Sequence, residues 1–393
     1  MKEEPAYFKL KIIELLHSDN PPPASRPLLI LLRILSWLYG MAVSLRNFFY
    51  DRGFFSISSI EPAVLSVGNI VAGGTGKTPT VLALAQRLQQ VGFSPAVICR
   101  GYGRKNSSPL LVSDGDEVLT AQEKAGDEPH MLARKLSSVP VVVCESKSKA
   151  AIWVEDHLDS DVVLIDDGFQ HRSLDRDYDL VLLDSRDPFG NGHLLPRGFL
   201  REPPTSLARA DSIMITRAGQ ASTGEISGFK NRIMGLTQNF YQANKSRSRA
   251  KIYEGKLRPL RLRDFTGEEI SLRSVSEKKL LAFSGIGNPD SFVKTLEDLS
   301  AGVSEHIRFP DHHDYNRDEL LERISSDLPD PAGSPEMEGN ALIITTEKDM
   351  TKISKETAEK LYDKGFKLLA LEVEMSLEDN LIDDIISAIN GGK

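Results

Sequence analysis

Cysteine is nearly absent. Cys99 and Cys144 are the only two in 393 residues, which excludes a disulfide framework and leaves no spacing for a thiolate zinc site. Both close apolar runs, so reduced, buried thiols in a cytosolic body are expected. Positive charge is also short: 48 Lys and Arg stand against 56 Asp and Glu, a formal net charge of −8. A general nucleic-acid or polyanion binder is thereby excluded, and any basic substrate site must be local. Repeats and low-complexity tracts are missing too. The chain does have enough length for two domains with proper cores.

The most informative segment runs from Leu65 to Pro79, where an apolar strand enters Val71-Ala72-Gly73-Gly74-Thr75-Gly76-Lys77-Thr78 and then a helix-forming stretch, Val81 to Leu88. Gly73, Gly74 and Gly76 let backbone N–H groups around Thr75 approach a polyphosphate. Lys77 can reach the transferring phosphate, and the Thr78 hydroxyl can ligate Mg²⁺, all at a helix N-terminus. The chain is therefore read as an ATP or GTP binder. The loop is a variant: the glycine usual five positions before Gly76 is Val71, and the signature lysine of membrane-partitioning switch ATPases is Ala72.

A second departure from a soluble pattern lies near the N-terminus. Leu28 to Leu45 is apolar apart from a stripe of Arg33, Ser36, Gly40 and Ser44 at spacings of three and four, and Arg26 and Arg46 bracket it. As a helix it would extend about 27 Å, marginal against a hydrocarbon core of about 30 Å. An embedded or in-plane helix with its stripe against protein or headgroups is favoured, and a buried core helix stays open. The flanking charges are too balanced to set a topology.

From Ala63 onward, β-type runs alternate with helical patterns: Ala63–Val67, Pro95–Cys99, Val141–Cys144, Val162–Ile165, Leu180–Leu183 and Ser212–Thr216. This predicts a parallel sheet wrapped by helices, an α/β fold with a P-loop NTPase-like domain. The expected organisation is a membrane-associated helix at 28–46, a P-loop domain at 51–220, linker strands at 221–276 and a smaller α/β domain at 277–393, ending in an amphipathic helix.

Candidate chemistry sits at strand ends. Val162 to Ile165 runs into Asp166-Asp167-Gly168-Phe169-Gln170-His171, and adjacent carboxylates repel unless a cation lies between them, so Asp166 and Asp167 are expected to hold Mg²⁺. A solvated strand-end turn is the plainer alternative. Gly126-Asp127-Glu128-Pro129 and Pro310-Asp311-His312-His313-Asp314-Tyr315 place acids and imidazoles in turns, each weak alone. Arg100-Gly101-Tyr102-Gly103-Arg104 follows a strand, where α/β folds present ligand loops; Leu194 to Glu202 adds Arg197 and Arg201. Gly285-Ile286-Gly287-Asn288-Pro289 reads as a tight turn.

Taken in order, the apolar N-terminal run, Val-Gly-Asn with Gly-Gly-Thr-Gly-Lys-Thr-Pro, Arg-Gly-Tyr, Gly-Asp-Glu-Pro, Asp-Asp-Gly-Phe-Gln-His, Leu-Arg-Glu, Asp-His-His-Asp-Tyr and Thr346-Glu347-Lys348-Asp349 resemble the tetraacyldisaccharide 4′-kinase family, the lipid A 4′-kinases of Gram-negative bacteria. The resemblance implies transfer of the ATP γ-phosphate, with Mg²⁺, to the 4′-hydroxyl of a tetraacylated glucosamine disaccharide 1-phosphate at the cytoplasmic face of the inner membrane. It implies two α/β/α units with the active site in the cleft between them. It also implies an acid at Asp127 that takes the sugar proton, paired with a histidine at His312. Arg100 and Tyr102 match positions near the sugar and lipid. We assign Gln170, His171 and Arg201 as further substrate contacts and Glu202 as a further metal ligand. Where the family carries an arginine near Glu145–Lys149, this chain offers Lys147 and Lys149. The lipid substrate and the membrane surface are the expected partners, with neither a protein partner nor a nucleic acid implied. A membrane-associated switch ATPase and a kinase of a soluble small molecule are the competing readings.

Overall fold

The computed structural model describes residues 15–16, 21–101, 108–243, 249–310, 313, 315, 320–324 and 341–391. The chain divides into two compact units, one formed by Ile13–Leu257 with Met375–Lys393 and the other containing Arg258–Glu374.

The first unit is built on eight strands: β1 (Ala63–Asn69), β2 (Pro95–Cys99), β3 (Leu110–Ser113), β4 (Val141–Val143), β5 (Val162–Asp166), β6 (Tyr178–Asp184), β7 (Ser212–Thr216) and β8 (Lys251–Glu254). Their order is β3-β4-β2-β5-β1-β6-β7-β8, parallel throughout except for the β3–β4 pair. Every residue of β1, β2, β5, β6 and β7 is buried, as expected for strands covered by helices on both faces; this is why they read as continuous Val, Ile and Leu runs. On one face, Leu84 and Leu88 of the helix Lys77–Gln90 join Val67, Val97 and Leu180; on the other, Ala150 and Val154 of the helix Lys147–His157 join Ile98, Val142 and Ile165. β1 lies between β5 and β6, with Val67 opposite Asp166 and Asn69 opposite Leu182. The glycine-rich loop and the double-acid turn therefore leave adjacent strands side by side.

Two stretches differ from expectation. Residues 221–276 do not form only linker strands, because Thr223–Ala243 is a helix whose Ile226, Phe229 and Ile233 recur at helical spacing and are buried. The closing helix, Asp379–Gly391, sends Leu381, Ile382, Ile385 and Ile389 into the core of the first unit. The chain thus returns to the unit it left.

The second unit carries β9 (Lys256–Asp264), β10 (Glu269–Ile270), β11 (Lys279–Ser284), β12 (Gly302–Arg308), β13 (Ala341–Thr346) and β14 (Phe366–Ser376), in the order β10-β9-β14-β13-β11-β12. The Asp349 carboxylate is fully buried in its interior. It accepts hydrogen bonds from the Gly285 N–H (2.9 Å) and the Thr346 hydroxyl (2.7 Å). The Thr346–Asp349 motif thus braces the turn at Gly285, whose tight-turn reading agrees: a Cβ there would meet the Tyr315 hydroxyl at 2.7 Å.

The apolar N-terminal run forms one helix, Arg26–Asp51, long and apolar enough by length and composition to cross a membrane. One narrow face docks on the first unit. The Ser36 hydroxyl donates to the Leu194 carbonyl (2.6 Å) and accepts from the Arg197 N–H (2.9 Å), Tyr39 Oη donates to the Arg201 carbonyl (2.9 Å), and a Cβ on Gly40 would meet Leu194 at 2.7 Å. Leu31, Ile34, Leu35, Trp37, Leu38, Met41 and Leu45 remain exposed. Of the polar stripe, Ser36 and Gly40 face protein whereas Arg33 and Ser44 are exposed.

Candidate active site

The loop after β1 is shaped by where its carbonyls go. Gly73 and Gly76 have φ of 136° and 86°, conformations that L side chains rarely adopt, and Gly76 caps the helix that begins at Lys77. The Gly74 carbonyl accepts from Arg217 Nη2 (3.1 Å) and the Thr75 carbonyl from the Thr216 hydroxyl (3.0 Å). Asn69 Nδ2 donates to Thr75 Oγ1 (2.9 Å), tying the end of β1 to the loop apex. Lys77 and Thr78 then fall in the first helical turn, where the N–H groups lack intrahelical partners and the dipole favours an anion.

The two acids beside this loop have opposite environments. Asp166 ends β5; it is buried, its Oδ1 has no hydrogen-bond partner, and burial, reinforced by the Glu128 charge, pushes its carboxyl up to about 7. Asp167 adopts a left-handed backbone, φ 57°, and meets Lys77 Nζ at 3.6 Å and Arg201 Nη1 at 2.8 Å from each oxygen. Burial alone would raise its carboxyl, but the Lys77 and Arg201 charges win and hold it at about 2. The turn can form only because Gly168 is small: a Cβ there would lie 2.6 Å from Ser66 Oγ. Phe169 anchors the turn beneath the Arg209 guanidinium, 4.4 Å from the ring centroid.

Glu202 is fully buried and surrounded by donors. It accepts from Arg209 Nη1 (2.9 Å) and Nη2 (3.2 Å), Asn47 Nδ2 (2.9 Å) and Gln170 Nε2 (3.3 Å), with Arg46 at 3.5 Å. Both oxygens are therefore engaged by guanidinium and amide groups, in place of the open position expected of a metal ligand. Removing Arg209 would strand a buried charge at a cost of about 3–5 kcal/mol. Gln170 Nε2 also donates to the Asn69 carbonyl (2.9 Å), bridging the double-acid turn to β1. The His171 imidazole is held down at about 4 by burial first and the Lys147 charge second, so it is neutral near pH 7.

Asp127 opens the helix Asp127–Lys135 after Gly126, whose φ is 92°, and accepts from Gln122 Nε2 (3.1 Å). Arg100 is exposed immediately after β2. Tyr102 and His312 lie outside the described residues. The structure thus gathers Lys77, Asp166, Asp167 and Arg201 into one cluster, with Gln170 and Glu202 behind it.

Two groups at this site, Arg209 and Arg217, were not singled out in the sequence, and Lys147, read there only as standing where the family carries an arginine, is placed in an unexpected environment. Lys147 is fully buried, donates to the Ile98 carbonyl (3.3 Å) and feels Asp166 and Asp167; burial lowers its pKa. It begins a helix after a capping serine, a position that signals exposure and gave no hint of burial. Arg209 and Arg217 follow in the same region, and the only sequence cue for Arg217 is that it directly succeeds a strand.

Comparisons with known proteins point to one family. A family model described as tetraacyldisaccharide-1-P 4′-kinase matches residues 28–390. A tetraacyldisaccharide 4′-kinase from Syntrophus aciditrophicus is 40% identical over 346 residues, covering 86% of this chain and 88% of that protein. One from Halothermothrix orenii is 35% identical over 381 residues, 96% of each. Among solved structures, the "apo" form of LpxK from Aquifex aeolicus in complex with ATP superposes with a TM-score of 0.65 at 31% identity, covering 92% of this chain and 99% of that one.

Proposed function

This chain belongs to the tetraacyldisaccharide-1-P 4′-kinase family, and from that premise we propose how its residues divide the work. It is an ATP-dependent kinase that phosphorylates the 4′-hydroxyl of a tetraacylated glucosamine disaccharide 1-phosphate in lipid A biosynthesis. Phosphoryl transfer of this kind asks for positioning and charge neutralisation more than for a strong base. The N–H groups of Gly74, Gly76 and Lys77 cradle the polyphosphate, and the Lys77 ammonium moves from Asp167 to the transferred phosphate.

The observation that carries the reading is the orphaned, buried Oδ1 of Asp166 beside the loop lysine and its counterion. A buried carboxylate with an unused oxygen and a raised pKa is poorly stable alone and well suited to a divalent cation, so the residues fit Mg²⁺. Asp166 and the Thr78 hydroxyl would hold it. When bound, Mg²⁺ neutralises charge on the phosphate oxygens. Asp167 keeps Lys77 and Arg201 in register, and Glu202 ties the N-terminal helix to the loop that carries Arg201. Asp167 and Glu202, the other acids expected at the metal, are held here by Lys77, Arg201 and Arg209.

On the acceptor side, Asp127 takes the proton of the sugar hydroxyl, with His312 acting on the same step, and Arg100, Tyr102, Gln170, His171 and Arg201 contact the lipid. The exposed face of the helix Arg26–Asp51 holds the enzyme at the membrane. Docking of the opposite face along Ser36, Tyr39 and Asn47 supports a helix lying in the interface of the cytoplasmic leaflet, where ATP is available.

Phosphorylation of the tetraacyl disaccharide 1-phosphate in mixed micelles, compared with its fully deacylated counterpart, tests the reading. Strong preference for the acylated acceptor is expected. Equal turnover of the water-soluble sugar would make this a kinase of a soluble small molecule.

A further inference from the structure

Arg217 has no part in the chemistry just described, yet both its backbone and its side chain are tightly held beside the loop. It lies immediately after β7, is 7% exposed, and adopts φ 54° and ψ 29°, a left-handed conformation that costs a non-glycine residue about 1–2 kcal/mol. The strained backbone is fixed from both sides: the Arg217 carbonyl accepts from the Ser185 hydroxyl (3.0 Å), and the Ala218 N–H donates to the Gly255 carbonyl (3.2 Å). This conformation turns the side chain back across the sheet end. Nη1 forms an ion pair with Asp184, whose other oxygen accepts the Arg186 N–H (3.1 Å), while Nη2 reaches the Gly74 carbonyl at 3.1 Å. One residue earlier, the Thr216 hydroxyl holds the Thr75 carbonyl.

In a trans peptide the C=O and the following N–H point in opposite directions. Fixing the Thr75 carbonyl on Thr216 therefore aims the Gly76 N–H away from β7, and fixing the Gly74 carbonyl on Arg217 sets the preceding plane, whose Thr75 N–H holds the Gly73 carbonyl (3.1 Å) and so leaves the Gly74 N–H pointing away from that bond. We propose that Arg217, braced by Asp184 and acting with Thr216, is a positioning residue for nucleotide: it presets the peptide planes of the glycine-rich loop so that phosphate meets N–H groups. Without it the Gly74–Thr75 peptide is free to turn the Gly74 carbonyl toward the phosphate, because Gly74 offers no steric resistance to such a flip. The inference deepens the kinase reading and rests on it.

The discriminating readout is a split between the two substrates. Arg217→Ala, compared with the unaltered enzyme, Arg217→Lys and Thr216→Val, is assayed for KM of ATP and of the lipid acceptor, with ATP affinity by calorimetry and folding by circular dichroism. Arg217→Ala should raise KM and Kd for ATP at least about tenfold with KM for the lipid within twofold, a loss matching one hydrogen bond to a charged group. Arg217→Lys should fall between, because lysine preserves the charge and loses the two-pronged geometry. Thr216→Val keeps the ion pair, so it still tests the idea if Arg217→Ala fails to fold, and should weaken ATP about threefold. Unchanged ATP affinity in folded Arg217→Ala, or in Thr216→Val where the alanine variant does not fold, overturns the proposal. So does equal weakening of both substrates, the mark of a merely structural role. Failure of the unaltered enzyme to bind ATP would instead sink the kinase reading itself.

Discussion

The loop lysine Lys77 rests 3.6 Å from Asp167 Oδ1, so in this structure the cation destined for phosphate already has a carboxylate counterion. Arg201 shares that carboxylate, which leaves neighbouring Asp166 as the acid with an unused, buried oxygen. Two acids adjacent in sequence are thereby set to different tasks by their surroundings.

Asp166→Asn should abolish most turnover, by at least about 10²-fold, the scale of a lost electrostatic stabiliser. The same change should stabilise the nucleotide-free protein at pH 8. The folded-state pKa of Asp166 is raised to about 7, so above that pH the fold bears an ionised, desolvated carboxylate that the unfolded chain does not. Kinetics and thermal melts of the two single asparagine variants check this. Asp167→Asn should instead lower stability, because its ionised form is the one that Lys77 and Arg201 hold.

The two faces of the helix Arg26–Asp51 should separate genetically. Glutamate at Trp37 and Met41, both exposed, should release the protein from phospholipid vesicles while ATP affinity stays within twofold. Asn47→Ala removes a donor from fully buried Glu202 and should lower stability by about 1–3 kcal/mol with membrane binding retained. Vesicle sedimentation and denaturant titration distinguish them; equal sedimentation of the glutamate variant would place attachment elsewhere.

Asp127→Ala and His312→Ala should each lower kcat strongly and leave ATP affinity nearly unchanged. If both serve the proton step, the double variant should be little worse than the poorer single. Fully multiplicative losses at saturating ATP would show that they act independently.

Acid stability should report His306 in the second unit. Burial, with Arg308 adding to it, depresses its pKa to about 4, and its Nε2 lies 2.9 Å from Ser284 Oγ. Between about pH 6.5 and 4 the unfolded chain binds the proton and the folded chain does not, so stability falls as pH drops through this window. The loss should be about 1 kcal/mol once discounted for partial exposure, and His306→Gln should flatten it. Thermal melts from pH 7.5 to 4 measure the difference.

The parts legible in the sequence were local ones. Gly73 to Thr78 and Asp166 to His171 each carry their chemistry within a few residues, and the buried strands declare themselves by unbroken Val, Ile and Leu. The surroundings of Glu202 were not legible, because what engages it, Asn47, Gln170 and Arg209, comes from three separate segments that no local pattern links. Lys147 sits at the start of a helix, where nothing local announces burial. The helix at Thr223–Ala243 was hidden by glycine and serine between its apolar positions, and the return of Leu381 and Ile385 to the first unit is a tertiary choice that amphipathicity alone does not make.

The central claim, that this glycine-rich loop serves phosphoryl transfer to an acylated disaccharide, is tested most directly by incubating the full chain and its Lys77→Ala variant with [γ-³²P]ATP, Mg²⁺ and tetraacyl disaccharide 1-phosphate in detergent. The account predicts a lipid labelled at the 4′ position from the unaltered enzyme and at least about 10²-fold less from the variant. No labelled lipid from a folded, ATP-binding enzyme, or equal labelling by Lys77→Ala, would contradict it.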